Sequence, residues 1–122
     1  RTTLMLEYFD GQELGDAGLW LRDGKGALVD LSTGYTFEVK AWLASAATAA
    51  FTKTDDISGA AGAGREPDGT PNLVIQWDAT GELDQLDLDT RYRLQVRANR
   101  TADSKDHVWD VEGGVIVRTA AP

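Results

Sequence analysis

Hydrophobic and polar residues alternate most regularly between Leu86 and Asn99, where the chain reads LDLDTRYRLQVRAN. From Tyr92 onward every second residue is apolar and the residues between are polar. This is the period-two pattern of a strand with one face in a core and the other in water. Tyr35–Trp42 shows the same alternation. The sequence therefore predicts a half-buried β-strand in each of these two segments.

Shorter apolar runs separated by turn signals predict the remaining strands. Thr2–Phe9 is apolar on both faces apart from Glu7, which indicates burial on both sides or contact with another molecule. Two apolar runs flank Asp23-Gly24-Lys25-Gly26 and predict a hairpin. Further strands are predicted at Ala49–Thr54, Asn72–Trp77, Val108–Val111 and Val115–Arg118, with a turn at Gly113-Gly114 between the last two.

Residues 55–71, DDISGAAGAGREPDGTP, are the longest stretch rich in glycine and proline. A loop of this length without regular structure is usually functional or disordered. We expect a flexible loop here. The preceding Leu43–Ala50 is too short for a stable helix and predicts a loop with at most one helical turn.

About seven to nine short strands, with no long helical period, predict an all-β sandwich. A parallel α/β fold is excluded, because it needs a helical crossover of about ten residues or more between strands. The chain has 122 residues and no cysteine, which fits one domain, residues 1–122, whose core needs no disulfide.

The formal net charge of −8 argues against binding to nucleic acid, because that binding depends on clustered lysine and arginine. No apolar run reaches about 18 residues, so the sequence predicts no membrane span. The first residues also lack the charged start and apolar core of a signal peptide.

Few residues are candidates for catalysis or metal binding. His107 is the only histidine, so a catalytic relay or a histidine-rich metal site would have to be built around it alone. A polar position beside a turn is the simpler interpretation. The loop carboxylates that could bind Ca²⁺ are Asp55, Asp56, Asp87, Asp89, Asp103 and Asp106. They lack EF-hand spacing, and we predict no catalytic residue, no metal and no cofactor.

The chain has four tryptophans, of which Trp77 is in phase with Leu73 and Ile75 and is predicted to be core. The three that can fall out of phase with their apolar neighbours are Trp20, Trp42 and Trp109. Such side chains either cap the ends of a sandwich or contact a partner or a sugar.

Three arginines share one face of a predicted strand, namely Arg91, Arg93 and Arg97. They either form a basic stripe for an acidic partner or pair across strands with Glu38 and other carboxylates.

The spacing Leu86-x-x-x-Thr90-x-Tyr92-x-Leu94-x-Val96-x-Ala98 resembles the E–F corner and F strand of fibronectin type III and related immunoglobulin-like sandwiches. In those domains the tyrosine hydroxyl bonds back to the backbone a few residues upstream. The resemblance implies that Leu86 and Tyr92 form a structural corner.

A longer pattern covers roughly residues 18–118. It consists of Trp20-Leu21-Arg22-Asp23-x-x-Gly26-x-x-Val29-Asp30-Leu31-Ser32-x-Gly34, Phe37-x-Val39, Leu86 with Tyr92-x-Leu94-x-Val96, and Gly114-x-Ile116-x-Arg118. The pattern is similar to small immunoglobulin-like domains of tailed-bacteriophage structural proteins, of the type at the N-terminus of baseplate upper proteins. The chain departs from that family at Thr90, where glycine is favoured, and in its long loop.

This resemblance implies an immunoglobulin-like Greek-key sandwich and a non-enzymatic virion protein, made in the host cytoplasm. It would act in the tail, baseplate, neck or capsid surface by packing against other copies of itself and neighbouring virion proteins. The expected contact residues are Met5, Phe9, Trp20, Trp42 and Arg65. The alternatives are a carbohydrate- or surface-binding module with an exposed tryptophan platform, and a small hydrolase that uses His107.

Overall fold

The computed structural model describes residues 6–9, 16–43, 46–65, 68–77 and 82–119. These residues form an all-β fold of eight strands in two sheets, with one short 3₁₀ helix before the seventh strand. The strands are β1 Leu6–Phe9, β2 Ala17–Leu19, β3 Tyr35–Trp42, β4 Phe51–Lys53, β5 Ile57–Gly59, β6 Leu73–Ile75, β7 Arg91–Arg100 and β8 Lys105–Arg118; the 3₁₀ helix is Glu82–Gln85. No helix in this part of the chain has the length and apolarity to cross a membrane.

The larger sheet has the strand order β1-β8-β7-β3-β4. All its pairings are antiparallel except that of β1 with β8, which is parallel. The predicted strand Tyr35–Trp42 is confirmed, and it pairs with β7 in unbroken register along its whole length. The strand predicted from Leu86 begins only at Arg91, because Asp89 has a φ of 57°, which extended backbone does not adopt.

The smaller sheet has the antiparallel order β2-β6-β5. Its edge strand β5 lies inside residues 55–71, and Ala63 and Thr70 form a further β-bridge there. The expectation of a loop without regular structure is therefore wrong. A Cβ atom at Gly59 would overlap the carbonyl oxygen of Leu31, so β5 depends on a glycine that the sequence presents as a breaker.

β8 is one strand with a bulge, and the turn predicted at Gly113-Gly114 is wrong. The pairing with β7 shifts between Leu94–Val111 and Tyr92–Val115, so that one β7 residue faces three of β8. Gly114 has a φ of 69°, and a Cβ atom there would overlap the Tyr92 carbonyl oxygen. A bulge and a turn require the same left-handed glycine, which explains the error.

The predicted hairpin around Asp23-Gly24-Lys25-Gly26 is present but short, with one bridge between Arg22 and Leu28. The Asp23 carboxylate accepts hydrogen bonds from the amides of Lys25 (2.8 Å) and Ala27 (3.0 Å). Leu19, the first residue of the apolar run before this hairpin, pairs with Leu73 of β6 and belongs to the smaller sheet.

Asn72, just before β6, is fully buried and joins four segments. Its side-chain oxygen accepts from the Leu21 amide (2.7 Å), and its side-chain nitrogen donates to the carbonyls of Leu21 (2.8 Å) and Val29 (2.9 Å). Its backbone donates to Leu19 and accepts from Ala60. The hairpin, β2, β6 and the segment after β5 are all held by this one residue.

The core lies between the two sheets. Trp77 is buried, as its phase predicts, and its indole N–H donates to the Tyr8 hydroxyl at 2.7 Å. The ring of Trp77 packs edge-on against Tyr8 and Phe51. Burial raises the pKa of the Tyr8 hydroxyl, so it remains a neutral partner for the indole.

Replacing Asn72 with alanine is expected to lower the free energy of unfolding by about 3 kcal/mol, because three hydrogen bonds of roughly 1 kcal/mol each are lost. Chemical denaturation measures this change. Gln76→Ala, an exposed amide near the end of β6, is the control and should cost less than about 0.5 kcal/mol. Equal effects of the two substitutions would contradict the assigned role of Asn72.

Gly114→Ala is expected to destabilise the fold by about 2 kcal/mol or more, because alanine is strained at positive φ and its Cβ meets the β7 backbone. Gly24→Ala is the matched control, since a Cβ there has no neighbour within 4 Å. Thermal denaturation of both variants separates the bulge from a general effect of removing glycine.

Candidate functional site

The structure describes four of the five expected contact residues. Met5 lies outside the described residues. Phe9 ends β1, where it pairs with Arg118 of β8. Arg65 is exposed, and its carbonyl accepts from the Gly69 amide at 2.7 Å, which closes the turn of the 63–70 bridge. Trp20 and Trp42 have defined neighbours and differ in what they contact.

Trp20 is half-buried and contacts its own chain. Its indole N–H donates to the Ala63 carbonyl at 3.3 Å. Beside it, the Arg22 guanidinium donates to the carbonyls of Gly64 (2.7 Å) and Gly26 (3.0 Å). Together Trp20 and Arg22 fasten the 63–70 segment to the 21–28 hairpin.

Trp42 lies on the outer face of the larger sheet, at the end of β3, and is half-buried. The guanidinium carbon of Arg93 lies 5.2 Å from the centre of its ring, within the range of a cation–π interaction. Arg93 also lies 3.7 Å from Asp110 on β8. Val108, 47% exposed and opposite Arg97 in register, is on the same face. We call Trp42, Arg93, Asp110 and Val108 the outer-face patch.

Two further arginines of β7 have carboxylate partners, Arg97 across the sheet on β8 and Arg100 in the turn that follows β7. Arg97 lies 3.7 Å from Asp106, and Arg100 donates to Asp103 at 3.1 Å. Glu38, the expected partner of the stripe, is the register neighbour of Arg97 and forms its ion pair with Lys40 at 3.4 Å. The cross-strand interpretation therefore describes Arg93 and Arg97, with carboxylates of β8 as their partners.

Tyr92 is 4% exposed, and its hydroxyl accepts a hydrogen bond from the Asp87 amide at 3.0 Å. Leu86 is buried and follows the 3₁₀ helix, where its amide donates to the Leu83 carbonyl. A buried tyrosine that bonds to the backbone five residues upstream has the geometry of a tyrosine corner. It fixes the entry of the chain into β7.

Trp109 is buried at 7% exposure, and its indole N–H donates to the Arg22 carbonyl at 2.8 Å. Trp109 belongs to the core, so of the alternatives for this residue the contact of its ring with a partner or a sugar is wrong. His107 stacks on it, with ring centres 5.4 Å apart, and Tyr35 lies beside the imidazole at 6.1 Å. His107 is therefore part of an aromatic row on β3 and β8.

Several loop carboxylates accept hydrogen bonds from neighbouring groups of the chain. Asp89 accepts from the hydroxyl and amide of Thr119, which lowers its pKa. Hydrogen bonds likewise lower the pKa of Asp103, beside Arg100, and of Asp30, beside Ser32. The part of the chain that the structure describes contains no group of three or more potential ligands placed to hold a metal.

A groove of about 570 Å³ lies beside the half of β3 that β4 does not cover. Its lining is mixed, and consists of Tyr35, Thr36, Phe37, Glu38, Thr54, Ile57, Arg97, Asn99 and Asp106. Asn99 donates to Asp106 at 2.7 Å across its floor. Sequence reasoning missed this groove, because it arises where the chain leaves one sheet for the other between β4 and β5.

Comparison with known proteins gives no relative. No protein-family model matches the chain, and neither the curated proteins nor the solved structures yield a match. The class that the structure defines is therefore an all-β protein of two sheets, and the site descriptions rest on its own geometry.

The pKa of the Asp89 carboxyl is lower in the folded protein than in the unfolded chain. The ionised carboxylate therefore stabilises the fold at pH values above its ordinary pKa. This stabilisation is lost as the pH falls through the pKa of the folded state. We expect the free energy of unfolding to decrease on acidification below about pH 4. Asp89→Asn should flatten this decrease. Urea denaturation as a function of pH measures it, and an unchanged slope would contradict the assignment.

Proposed function

We propose that this chain is a non-enzymatic structural protein of a tailed-bacteriophage particle, built on an immunoglobulin-like domain. It acts by packing against other copies of itself and against neighbouring virion proteins. The proposal combines the resemblance over residues 18–118 with the strand order and the character of one exposed face.

The strand order supports the immunoglobulin-like part of the proposal. If β2 to β8 are taken in turn as strands B, C, C′, D, E, F and G, the two sheets are GFCC′ and BED. This is the division of strands in an immunoglobulin-like sandwich with a C′ strand. Tyr92, at the start of β7, then occupies the E–F corner, where tyrosine corners occur in this fold.

The outer-face patch is the observation that carries the assembly function. It places a half-buried tryptophan, an arginine and an exposed valine on the outer face of the larger sheet. Tryptophan and arginine are enriched among residues that dominate binding energy at protein interfaces. Arg93 covers one side of Trp42, so a partner that contacts the tryptophan also meets a cation next to Asp110.

The carbohydrate-binding alternative depended on Trp42 and Trp109 as stacking platforms. Trp109 is buried, and its N–H is used within the chain, so one of the two rings is not accessible to a sugar. A single ring, that of Trp42, fits a protein interface as well as it fits a sugar-binding site. The assembly proposal is therefore the one that the surface supports better.

Trp42→Ala is expected to weaken self-association of the purified protein by at least about tenfold, because it removes the largest apolar group of the patch. Sedimentation equilibrium measures the association constant, and Gln76→Ala, just after β6 of the smaller sheet, is the control. A wild-type protein that stays monomeric at high concentration, together with its absence from purified particles by mass spectrometry, would refute the proposal.

A further inference from the structure

The edge of β3 is covered along only part of its length. β4 pairs with Val39, Lys40 and Ala41, and the chain then turns away at Asp55-Asp56 to enter the smaller sheet as β5. Asp56 has a φ of 54°, which ends the extended conformation. Among the described residues, no strand pairs with Tyr35–Glu38 on that side.

The backbone groups of this uncovered segment have a defined direction. The Ala41 carbonyl accepts from the Ala50 amide, on the β4 side, and the Gly34 carbonyl accepts from the Thr101 amide, on the β7 side. Backbone groups alternate in direction along an antiparallel strand, so odd-numbered residues of β3 face the β4 side. The amides and carbonyls of Tyr35 and Phe37 therefore point into the open edge, and within the described residues no hydrogen bond reaches them from that side.

The groove described above runs along these same residues. Thr54 and Ile57 form its far wall, at the two ends of the crossing between the sheets. Four consecutive residues of β3, Tyr35–Glu38, line it, so a strand of three to four residues can lie beside them. An extended polypeptide supplies alternating donors and acceptors at the spacing that Tyr35 and Phe37 present, which a compact small molecule does not.

The charges favour a basic partner. Of the described residues that line the groove, Glu38 and Asp106 are anionic and Arg97 is the one cation, 3.7 Å from Asp106. Asp55, at the crossing, is 80% exposed and lies 3.4 Å from the ammonium of the buried Lys53, and Glu38 lies 3.4 Å from Lys40. A basic partner is therefore favoured by the excess of one carboxylate in the lining and by the net charge of the chain. A second copy of this chain carries the same net charge of −8, so electrostatics disfavour it as the occupant.

We propose that the open edge of β3 at Tyr35 and Phe37 binds an extended, basic peptide segment of another protein as an added strand. Residues of that segment opposite Tyr35 and Phe37 direct their backbone groups to β3 and their side chains toward Ile57. The intervening residues place lysine or arginine side chains over Glu38 and Asp106. This goes beyond the proposed function, because it assigns a second surface and the chemistry of its partner, and it does not depend on the outer-face patch.

The test uses the ¹⁵N-labelled protein and an acetylated, amidated pentapeptide of lysine, valine, threonine, valine and lysine. In the free protein the amides of Tyr35 and Phe37 should exchange with solvent faster than those of Thr36 and Glu38, which face β7. Millimolar peptide should shift the Tyr35 and Phe37 amide resonances and slow their exchange.

Two N-methylated peptides separate strand addition from side-chain contact. N-methylation of both valines removes the donors that face β3 and should weaken binding by at least about tenfold. N-methylation of the threonine modifies an amide that faces away from β3 and should leave the affinity within about twofold. Equal binding of both modified peptides would overturn the proposal.

Two protein variants test the charge. Asp106→Asn should weaken peptide binding by about threefold or more, whereas Asp110→Asn, on the same face of the same strand but outside the groove, should not. The proposal is overturned if the peptide leaves the Tyr35 and Phe37 amides unchanged. It is also overturned if raising the protein concentration alone produces the same shifts, which would identify a second copy as the occupant.

Discussion

The fold depends on one buried amide. Asn72 sits where the smaller sheet, the 21–28 hairpin and the segment after β5 converge, and its side chain and backbone together satisfy groups from all of them. An unsatisfied polar group in the same place would cost about 1–3 kcal/mol, so the site tolerates only a side chain with both a donor and an acceptor. Trp20 and Arg22 flank Leu21, which Asn72 holds, and donate to the carbonyls of Ala63 and Gly64. The segment that contains these two carbonyls is therefore anchored beside the same contact.

The parts of the fold that the sequence predicts are those whose causes are local. β3 and β7 are half-buried strands, so their alternation is visible without knowledge of their neighbours. The hydrogen bond between the Asp87 amide and the Tyr92 hydroxyl joins residues five apart in the chain, in the geometry of a tyrosine corner. The all-β class with two sheets follows from the same short apolar runs and turn signals.

The parts that it does not predict depend on distant partners. The indole N–H of Trp109 donates to a carbonyl 87 residues earlier in the chain, and that of Trp20 donates to a carbonyl 43 residues later. β5 contains one apolar residue, Ile57, and exists because Gly59 fits beneath Leu31. Lys53 occupies an inward position of β4, where the strand pattern predicts an apolar residue. It is buried, and Asp55 is among its partners. The groove is a result of topology, and no local pattern marks it.

The parallel pairing of β1 with β8 has a mechanical consequence. Leu6 to Phe9 lie beside Val115 to Arg118 in the same direction, and Glu7 forms an ion pair with Arg118. A force that pulls Leu6 and Arg118 apart acts along the two strands, so it loads their hydrogen bonds together in shear. An antiparallel hairpin pulled from its open end would instead release its bonds one after another. The arrangement at this edge resists tension between the two strands.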